Sequence, residues 1–483
     1  MNTFDLTGRL LTTIAIAVSW FTCGDGLAQG EYNDNRVMMQ GFMWESHQDG
    51  MQTGAGGHSY EVQWTGKWYD HVKEKANELA DAKFDLIWLP PPSQGEGAGY
   101  HPQQLYEFSN NYGNHQQHQE MLNQLLEHGI EPVADLVINH RNGTGGWSTF
   151  KNPQWPSKFI CSTDEFWFQD PSTLNNEDRL TLNSGARGAP DYTFSNYPNW
   201  HGARDLDHTN SQLRSEIKAY LKRLRELGYR GWRYDMVKGF APGYIAEYNY
   251  DSQPTFAVGE YWDANAYEVS QWIDGTKMYG LDDPAKKACS AFDFSTQERL
   301  REFINGGKYD HLPAIHFKDG AYDGLIAVNN DKSVTFLENH DTGFPQKQFD
   351  TFANDEKLLQ AYAYLLTHPG VPCVYWKHYF EWNRGDEIKA LIKARKYAGI
   401  HSGSYIKSEV HGADYVAIVG DQSQESSTLI VKIGPGFGFN VDANLWGLET
   451  SGNGYAVWIR KSKKEETRQA VDAEQTPFPI PGD

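Results

Sequence analysis

The stretch GWRYDMVKG (231–239) passes from a short apolar run to a carboxylate, Asp235. FAVGEYWD (256–263) makes the same change at Glu260, and VTFLENHD (334–341) makes it at Asp341. Because a charge beside an apolar strand costs free energy, three such arrangements indicate one shared polar site. In a parallel barrel the C-terminal strand ends converge on a single mouth, so these strings predict a barrel with the site at that mouth.

Short apolar runs alternate with longer amphipathic stretches over most of the chain. Strands are predicted at 37–42, 86–89, 132–138, 231–236, 255–259, 291–294, 334–337 and 371–375. Helices are predicted between them, including 115–128, 211–227, 356–367 and 386–398, with Ser211 as an N-cap. Strand–helix units of this kind predict an α/β fold, the (β/α)8 TIM barrel, and 483 residues leave room for further domains.

Changes in composition divide the rest of the chain. Residues 139–203 are rich in Gly, Pro, Asn and Trp and predict a loop-rich domain inserted after strand 3, so that 31–138 and 204–400 form the barrel. Alternating apolar residues after the last helix predict a C-terminal antiparallel β-domain over 401–460, which we expect to be a β-sandwich. The charged and then Pro-rich segment 461–483 is expected to be a flexible tail.

The first 28 residues have the pattern of a secretory signal peptide. Arg9 precedes the apolar run 10–21, and small residues lead to a cut at about Ala28, which predicts secretion to the extracellular space or the periplasm. A buried N-terminal helix is the alternative interpretation. The formal net charge of −20 argues against nucleic acid and membrane surfaces as partners, and no feature of the sequence requires more than a monomer.

Four strings stand in the order of a known family's motifs. Asp135-Leu-Val-Ile-Asn-His140, Gly231-Trp-Arg-Tyr-Asp235, Gly259-Glu260 and Glu338-Asn-His-Asp341 resemble the motifs of the α-amylase family of glycoside hydrolases, family 13. Ile87-Trp-Leu-Pro-Pro-Pro-Ser93 and Gly99-Tyr-His-Pro102 are similar to landmarks of its plant-type and bacterial branch, which includes maltotetraose-forming amylases. Four motifs in order are a far more specific signal than any one of them.

The chemistry of glycoside hydrolysis fits these carboxylates. An oxocarbenium-like transition state needs negative charge at the anomeric carbon and a proton at the leaving oxygen. The resemblance implies that Asp235 is the nucleophile, Glu260 the general acid and base, and Asp341 the carboxylate that stabilises the transition state. We expect Arg233 to orient Asp235 and keep it ionised, and apolar neighbours to raise the pKa of Glu260.

Basic, histidine and aromatic side chains form the expected substrate-binding set: Arg233, His140, His340, Tyr100, Trp44, Lys238 and Trp262. The resemblance implies hydrogen bonds from the two histidines, stacking by Tyr100 and Trp44, and a contact from Lys238 on the leaving side. Trp262 stands in a polar string of the type that suits sugar rings. Ordinary packing is the alternative for the stacking residues, and a solvated surface lysine is the alternative for Lys238.

Calcium is the cofactor that the resemblance implies. The family joins its inserted domain to the barrel through Ca²⁺, a hard cation that takes oxygen ligands. Asn139 and Asp205 match side-chain ligands, and the carbonyl of Gly239 matches a backbone ligand. The remaining ligands fall where the chain departs from its relatives, and Asn183 or Asp191 could contribute there.

The residues together predict a secreted, retaining, endo-acting α-amylase that hydrolyses the α-1,4 bonds of starch, glycogen and maltooligosaccharides. An exo-acting, maltooligosaccharide-forming enzyme is the nearest alternative, because the Asn-His-Asp-Thr-Gly string at 339–343 resembles that branch. A non-catalytic glycan-binding protein is a remote alternative, since the carboxylate set is intact.

One position departs from the family pattern after the last strand. The chain has Lys377-His378 where relatives commonly show Asp-His. The change removes an acidic group, so a substrate-side contact or a local ion pair must differ here.

Overall fold

The computed structural model describes most of the chain after its N-terminal region. The described residues are 33–53, 59–144, 148–162, 164, 203–277, 288–316, 323–348, 351–420, 426–436 and 439–481. The predicted signal peptide and most of the predicted inserted domain therefore lie outside the described residues. Within the described ranges, no helix is both long and apolar enough to span a bilayer.

Eight parallel strands close into a barrel, which confirms the predicted fold class. They are β1 (Met38–Gln40), β2 (Leu86–Leu89), β3 (Glu131–Leu136), β4 (Gly231–Tyr234), β5 (Phe256–Gly259), β6 (Ser290–Phe292), β7 (Ser333–Phe336) and β8 (Val371–Tyr375). β1 pairs with both β2 and β8, which completes the ring. All residues of these strands are buried, as expected for a parallel barrel that helices cover.

Helices follow the strands around the barrel. They are α1 (Trp68–Asp81), α2 (His115–Glu127), α3 (Ser211–Leu227), α4 (Pro242–Ser252), α5 (Ala266–Gly275), α6 (Phe294–Asn305), α7 (Asp355–Thr367) and α8 (Gly385–Ala398). Shorter helical turns occupy Trp44–His47, Ser157–Phe159, Val237–Gly239, Tyr309–His311, Pro313–His316, Leu325–Val328, Asn330–Lys332 and Lys377–Glu381. Asp49–Thr53 pairs with Ser59–Gln63, and Gln94–Glu96 pairs with His101–Gln104.

Helix α3 shows how an amphipathic stretch becomes one of these elements. Its buried side chains are three or four residues apart, so they form one face toward the barrel. The side chain of Asn210 accepts hydrogen bonds from the N–H groups of Gln212 and Leu213 and is the N-cap. The predicted N-cap, Ser211, is therefore wrong by one residue. Gly228 ends the helix with a φ of 128°, which a residue with a side chain rarely adopts.

A five-stranded antiparallel sheet follows the barrel. Its strands are β9 (Tyr405–His411), β10 (Asp414–Gly420), β11 (Ser427–Ile433), β12 (Trp446–Gly452) and β13 (Tyr455–Arg460), in the order β9-β10-β11-β13-β12. The antiparallel β-domain is confirmed, but the expected β-sandwich is not found among the described residues. The sheet packs on α7 and α8, so barrel helices take the place of a second sheet.

The predicted inserted domain, 139–203, is described only near its ends. His140–Arg141 pairs antiparallel with Arg204–Asp205, so the chain leaves the barrel and returns to it at neighbouring positions. Inside this junction, the guanidinium of Arg204 forms a buried ion pair of 2.6 Å with Asp164. The predicted start and end of the insertion lie beside this pair of short strands.

The segment after β13 is not the flexible tail that its composition predicts. Helix α9 occupies Lys461–Asp472 and packs on α8. The hydroxyl of Thr467 donates to the carbonyl of Tyr397 at 2.7 Å, and the hydroxyl of Tyr397 donates to Asp472 at 2.5 Å. Polar bonds hold the helix in place although none of its residues is buried.

Residues 473–481, which we call the C-terminal strap, cross the end of the barrel opposite the carboxylates. The N–H of Phe478 donates to the carbonyl of Leu126 at 2.9 Å. Gln475 donates to the carbonyl of Phe84 at 2.9 Å, and Arg230 donates to a strap carbonyl at 2.7 Å. The barrel residues involved precede β2, β3 and β4, so the strap joins three consecutive units at their N-terminal ends.

Deletion of 461–483 is expected to destabilise the protein without changing catalysis. The five hydrogen bonds named above contribute about 0.5–1.5 kcal/mol each, so the unfolding free energy should fall by roughly 2.5–7.5 kcal/mol. The midpoint of urea denaturation checks the loss, and kcat/KM on soluble starch should be unchanged. An unchanged midpoint would show that helix α9 and the strap contribute nothing to stability.

Candidate active site

The guanidinium of Arg233 is the centre of the predicted site. Arg233 lies on β4 directly opposite Asp135 on β3, and both side chains are fully buried. Its Nη1 donates to Asp135 at 2.8 Å and to Asp235 at 2.7 Å, while its Nη2 bonds to Glu260 at 2.8 Å. One cation therefore fixes three carboxylates that come from three neighbouring strands.

Strand register places the two reactive carboxyls side by side. Tyr234 at the end of β4 is paired with Gly259 at the end of β5, so Asp235 and Glu260 leave their strands at the same level. The second oxygen of Glu260 accepts the N–H of Met236 at 3.0 Å. Both carboxyls bond the same guanidinium from adjacent strand ends, so two carboxyl groups are available together at the mouth of the barrel.

Asp341 and His340 complete the predicted constellation after β7. The Nε2 of His340 lies 3.2 Å from the carboxylate of Asp341, and its Nδ1 lies 3.0 Å from the amide nitrogen of Gln40. Burial lowers the pKa of His340 well below its usual value, so the ring is neutral. A neutral ring that donates from Nε2 accepts at Nδ1, and the amide nitrogen of Gln40 donates a hydrogen bond to that Nδ1.

Two of the predicted stacking residues lie parallel to His340. The ring of Tyr100 lies 5.1 Å from that of His340 with 4° between the planes, and the ring of Trp44 lies 6.3 Å away at 5°. The hydroxyl of Tyr100 donates to Asp135 at 2.8 Å, which fixes the ring from below. Parallel, partly buried aromatic faces at the barrel mouth suit the C–H faces of sugars.

His140 is placed in the site, but both of its ring nitrogens are engaged within the protein. Its Nε2 lies 2.7 Å from the carbonyl of Tyr100, and its Nδ1 lies 3.2 Å from the amide nitrogen of Asn139. Burial lowers the pKa of His140 to about 4. The predicted hydrogen bond from His140 to sugar would therefore require one of these bonds to be given up.

The other two predicted contacts lie at the edge of the site. Lys238 is 44% exposed and forms an ion pair of 2.6 Å with Asp263, and its ammonium lies 4.7 Å from the ring centroid of Tyr261. The ring of Trp262 stacks on that of Phe294 at 4.8 Å. Both side chains thus have partners in the protein, and their contact with substrate stays a prediction.

The environment of Glu260 differs from the one expected. Its carboxyl bonds to Arg233 and to a backbone N–H, so its immediate partners are polar groups rather than the apolar neighbours expected. Arg233 acts on the pKa of Asp235 in the expected direction, but the net shift of that pKa is upward. Burial raises the pKa of Asp235 well above its usual value; Arg233 opposes this rise, and the charges of Glu260 and Asp135 add to it. One guanidinium cannot neutralise three carboxylates, so the cluster has an excess of acidic groups over basic ones.

The pKa of Asp341 makes the stability of the fold depend on pH. Burial raises the pKa of Asp341 to about 7, and the charge of Glu260 contributes. An unfolded Asp titrates near 3.9, so the folded protein holds a proton that the unfolded chain has released at intermediate pH. The contribution of this proton to the free energy of unfolding is fully present below about pH 4 and is lost as the pH rises toward 7.

Compared with the wild type, the variant Asp341→Asn is therefore expected to gain more stability at pH 8 than at pH 4. The gain should be on the order of 1–3 kcal/mol, reduced by solvent screening because the side chain keeps 17% exposure. Urea denaturation at the two pH values measures it, with the exposed Asp251→Asn as the control. An equal difference from wild type at both pH values would contradict a raised pKa at Asp341.

Three of the predicted calcium ligands are brought together. The N–H of Leu206 donates to the carbonyl of Asn139 at 2.9 Å, which places Asp205 beside Asn139. Gly239 lies so close to the side chain of Asn139 that a Cβ at position 239 would be 1.7 Å from the Oδ1 of Asn139. The amide nitrogen of Asn139 faces His140, so its oxygen is turned toward Gly239.

These oxygen donors fit calcium in type but not yet in number. Side-chain amide, carboxylate and backbone carbonyl oxygens suit Ca²⁺, which takes six to eight ligands. Within the part of the chain that the structure describes, no group of three or more His, Cys, Asp or Glu side chains could hold a metal. Asn183 and Asp191, the other predicted ligands, lie outside the described residues.

Sequence reasoning missed two members of the site. Asp135 opens the first motif string, and its carboxylate receives bonds from Arg233, Tyr100 and Trp88, the last at 3.0 Å. Gln40 ends β1 and contacts His340. Asp135 was visible as a charged residue inside the apolar run of β3, whereas Gln40 gave no such signal.

A closed parallel barrel with paired carboxylates and stacking aromatic rings at its C-terminal mouth defines a glycoside hydrolase site. Residues 45–391 match the α-amylase catalytic domain, and 397–459 match the α-amylase C-terminal β-sheet domain. The chain belongs to the α-amylase family of glycoside hydrolases.

Known relatives agree with this assignment. Probable α-amylase 2 of Arabidopsis thaliana is 30% identical over 446 residues, 87% of this chain and 93% of that protein. α-Amylase 3, chloroplastic, of the same plant is also 30% identical, but the match spans 45% of its length. Glucan 1,4-α-maltotetraohydrolase of Stutzerimonas stutzeri is 27% identical over 84% of this chain and 69% of that protein. The structure of an α-amylase from Malbranchea cinnamomea, at 16% identity, covers 90% of this chain and 98% of that chain with a TM-score of 0.57, which supports the fold alone.

Proposed function

We propose that the protein is an endo-acting α-amylase that hydrolyses α-1,4-glucosidic bonds of starch-type glucans with retention of configuration. The observation that carries the proposal is the bonding of Asp135, Asp235 and Glu260 to the single guanidinium of Arg233. This cluster carries excess negative charge in a buried site. A sugar that becomes positive in the transition state relieves that excess, which lowers the barrier.

In the proposed mechanism, an oxygen of Asp235 attacks the anomeric carbon while Glu260 protonates the leaving glucosidic oxygen. The glycosyl–oxygen bond breaks as the bond to Asp235 forms, and Glu260 then takes a proton from the water that hydrolyses the intermediate. Arg233 holds both carboxyls in place during the two steps. In its ionised form Asp341, aligned by His340, adds negative charge beside the ring.

The early product profile on soluble starch tests this proposal, with viscosity followed in the same sample. A rapid fall in viscosity with mixed short oligomers would support endo action. The α-anomer as the first product, seen by NMR before mutarotation, would support retention. Wild-type protein that releases no product would overturn the assignment in favour of a glycan-binding protein.

An exo-acting enzyme is the second candidate. The observation that favours it is the similarity to proteins named glucan 1,4-α-maltotetraohydrolase, which are 27% identical to this chain. The Asn-His-Asp-Thr-Gly string at 339–343 forms the loop that carries Asp341. One dominant oligomer with viscosity that falls slowly would favour this candidate.

A structural calcium ion belongs to the same proposal. Asn139, Asp205 and the carbonyl of Gly239 would hold it, and the ion would join the returning end of the insertion to the barrel. It would fix these loops rather than take part in bond cleavage. The approach of Gly239 to Asn139 supports the site, because any side chain at position 239 would displace the amide oxygen.

Removal of calcium is expected to lower the thermal midpoint, and Gly239→Ala is expected to abolish that response. A ligand present at 100 times its dissociation constant stabilises by about 2.7 kcal/mol, which sets the scale of the effect. Melting with and without a chelator measures it. Gly243→Ala, where a Cβ meets no atom within 4 Å, is the matched control. Identical melting of the wild type in both conditions would exclude a structural calcium.

We also propose that the protein is exported as a monomer. The apolar run at 10–21 and the small residues up to Ala28 support export. Expression of the full chain in a bacterial host, followed by N-terminal sequencing of the exported protein, tests the cleavage site. Light scattering of the purified protein tests the oligomeric state, and a dimer mass would contradict the second part.

A further inference from the structure

Lys377, where the chain departs from the family pattern, forms a buried ion pair. Its ammonium lies 2.6 Å from the carboxylate of Glu45, and the two side chains are 5% and 0% exposed. The same ammonium donates to the carbonyl of Phe344 at 2.7 Å. A single lysine therefore connects three segments that follow β1, β7 and β8.

Each connected segment bears on the cleft. Glu45 belongs to the helical turn Trp44–His47, directly after the aromatic residue whose ring is parallel to His340. Phe344 lies three residues after Asp341 in the same loop. Lys377 begins the helical turn after β8, where the buried Trp376 anchors it. Lys377 therefore ties both the Trp44 turn, through the ion pair, and the Asp341 loop, through the carbonyl of Phe344, to the turn after β8.

We propose that Lys377 is a positioning residue that holds Trp44 at the glucan-binding wall of the cleft through Glu45. The inference rests on the proposed function, because it takes the side of the cleft formed by Trp44 and His340 to be a binding surface for glucan. Lys377 bonds to neither Asp235 nor Glu260 in the structure, so its effect is on substrate affinity rather than on bond cleavage. A buried charge pair suits this role, since either partner alone in the interior would be strongly unfavourable and the two loops cannot separate.

Replacement of either partner should raise KM with little change in kcat. For Lys377→Met and Glu45→Gln we expect KM for maltoheptaose to rise about tenfold and kcat to stay within about threefold. The double variant removes both charges. It should recover thermal stability relative to the single variants because neither partner of the pair is left charged alone, while KM stays raised because the tether is gone.

The matched control breaks a buried ion pair at the other end of the barrel. Arg36 lies before β1 and pairs with Asp34 at 2.7 Å and with Glu131 at 3.3 Å. Arg36→Met should lower the thermal midpoint while KM stays at the wild-type value. This control separates loss of stability from loss of cleft geometry.

Calorimetric titration with maltoheptaose gives a second readout that needs no turnover. In an Asp235→Asn background, Lys377→Met should weaken binding by the same factor by which it raises KM. A lower thermal midpoint with unchanged KM and unchanged affinity would overturn the proposal and leave the pair purely structural. Loss of kcat at constant KM would also overturn it. Wild-type protein without amylase activity would instead defeat the proposed function, so the two failures are distinguishable.

Discussion

Asp235→Asn is expected to lower kcat on soluble starch by about 10⁴-fold or more, because it removes the atom that forms the covalent bond to sugar. The fold should persist, since Asn has the same shape and Arg233 keeps its bonds to Asp135 and Glu260. Reducing-end release measures turnover, and calorimetric titration with maltoheptaose should show binding close to that of the wild type.

Two further variants make the Asp235 result decisive. Asp235→Ala excludes activity from deamidation of the introduced Asn, and it should be equally inactive. Asp310→Asn, at an exposed carboxylate in the turn Tyr309–His311, should keep wild-type turnover. Residual activity above about 1% in both Asp235 variants would remove this residue from the role of nucleophile.

The barrel could be predicted closely because its strands are short, apolar and buried on both faces. Leu86–Leu89 and Val371–Tyr375 were predicted to the residue, as was helix Ser211–Leu227. The N-cap was misplaced because Asn210 and Ser211 are both good capping residues and only the backbone decides between them. The C-terminal strap was missed because its partners, among them two backbone carbonyls and the side chain of Arg230, are distant in the chain and leave no pattern in composition.

The sequence could predict which carboxylates lie together, but it could not predict the electrostatics of the site. Motif order located Asp235, Glu260 and Asp341, and the structure brings the first two onto Arg233. Arg233 stands two residues from Asp235 in the sequence, but its bond to Glu260 depends on the pairing of β4 with β5. The pairing of Lys377 with Glu45 joins residues 332 positions apart and could not be read from either local string. Local sequence therefore names charged residues, whereas strand register decides how many carboxylates share one cation.

Glu260→Gln should separate the two chemical steps and trap the sugar on Asp235. Turnover of starch is expected to fall about 10²–10⁴-fold, because its leaving oxygen needs a proton. α-Maltotriosyl fluoride needs little acid help, so the first step should proceed and the second should stall for want of a base. Intact-protein mass spectrometry should then show one added maltotriosyl group, and peptide mapping should place it on Asp235.

The same reagent with Asp235→Asn is the matched control for Glu260→Gln, and it should give no adduct. In the Glu260→Gln variant the introduced amide can still accept from Arg233 through its oxygen, but its nitrogen faces the N–H of Met236, which in the wild type bonds to Glu260 at 3.0 Å. We therefore expect a slightly lower thermal midpoint together with the adduct. An adduct on Glu260 in the Asp235 variant would exchange the two roles. A β-anomeric product from wild-type protein and the fluoride would exclude double displacement, because two inversions at the anomeric carbon must restore the α configuration.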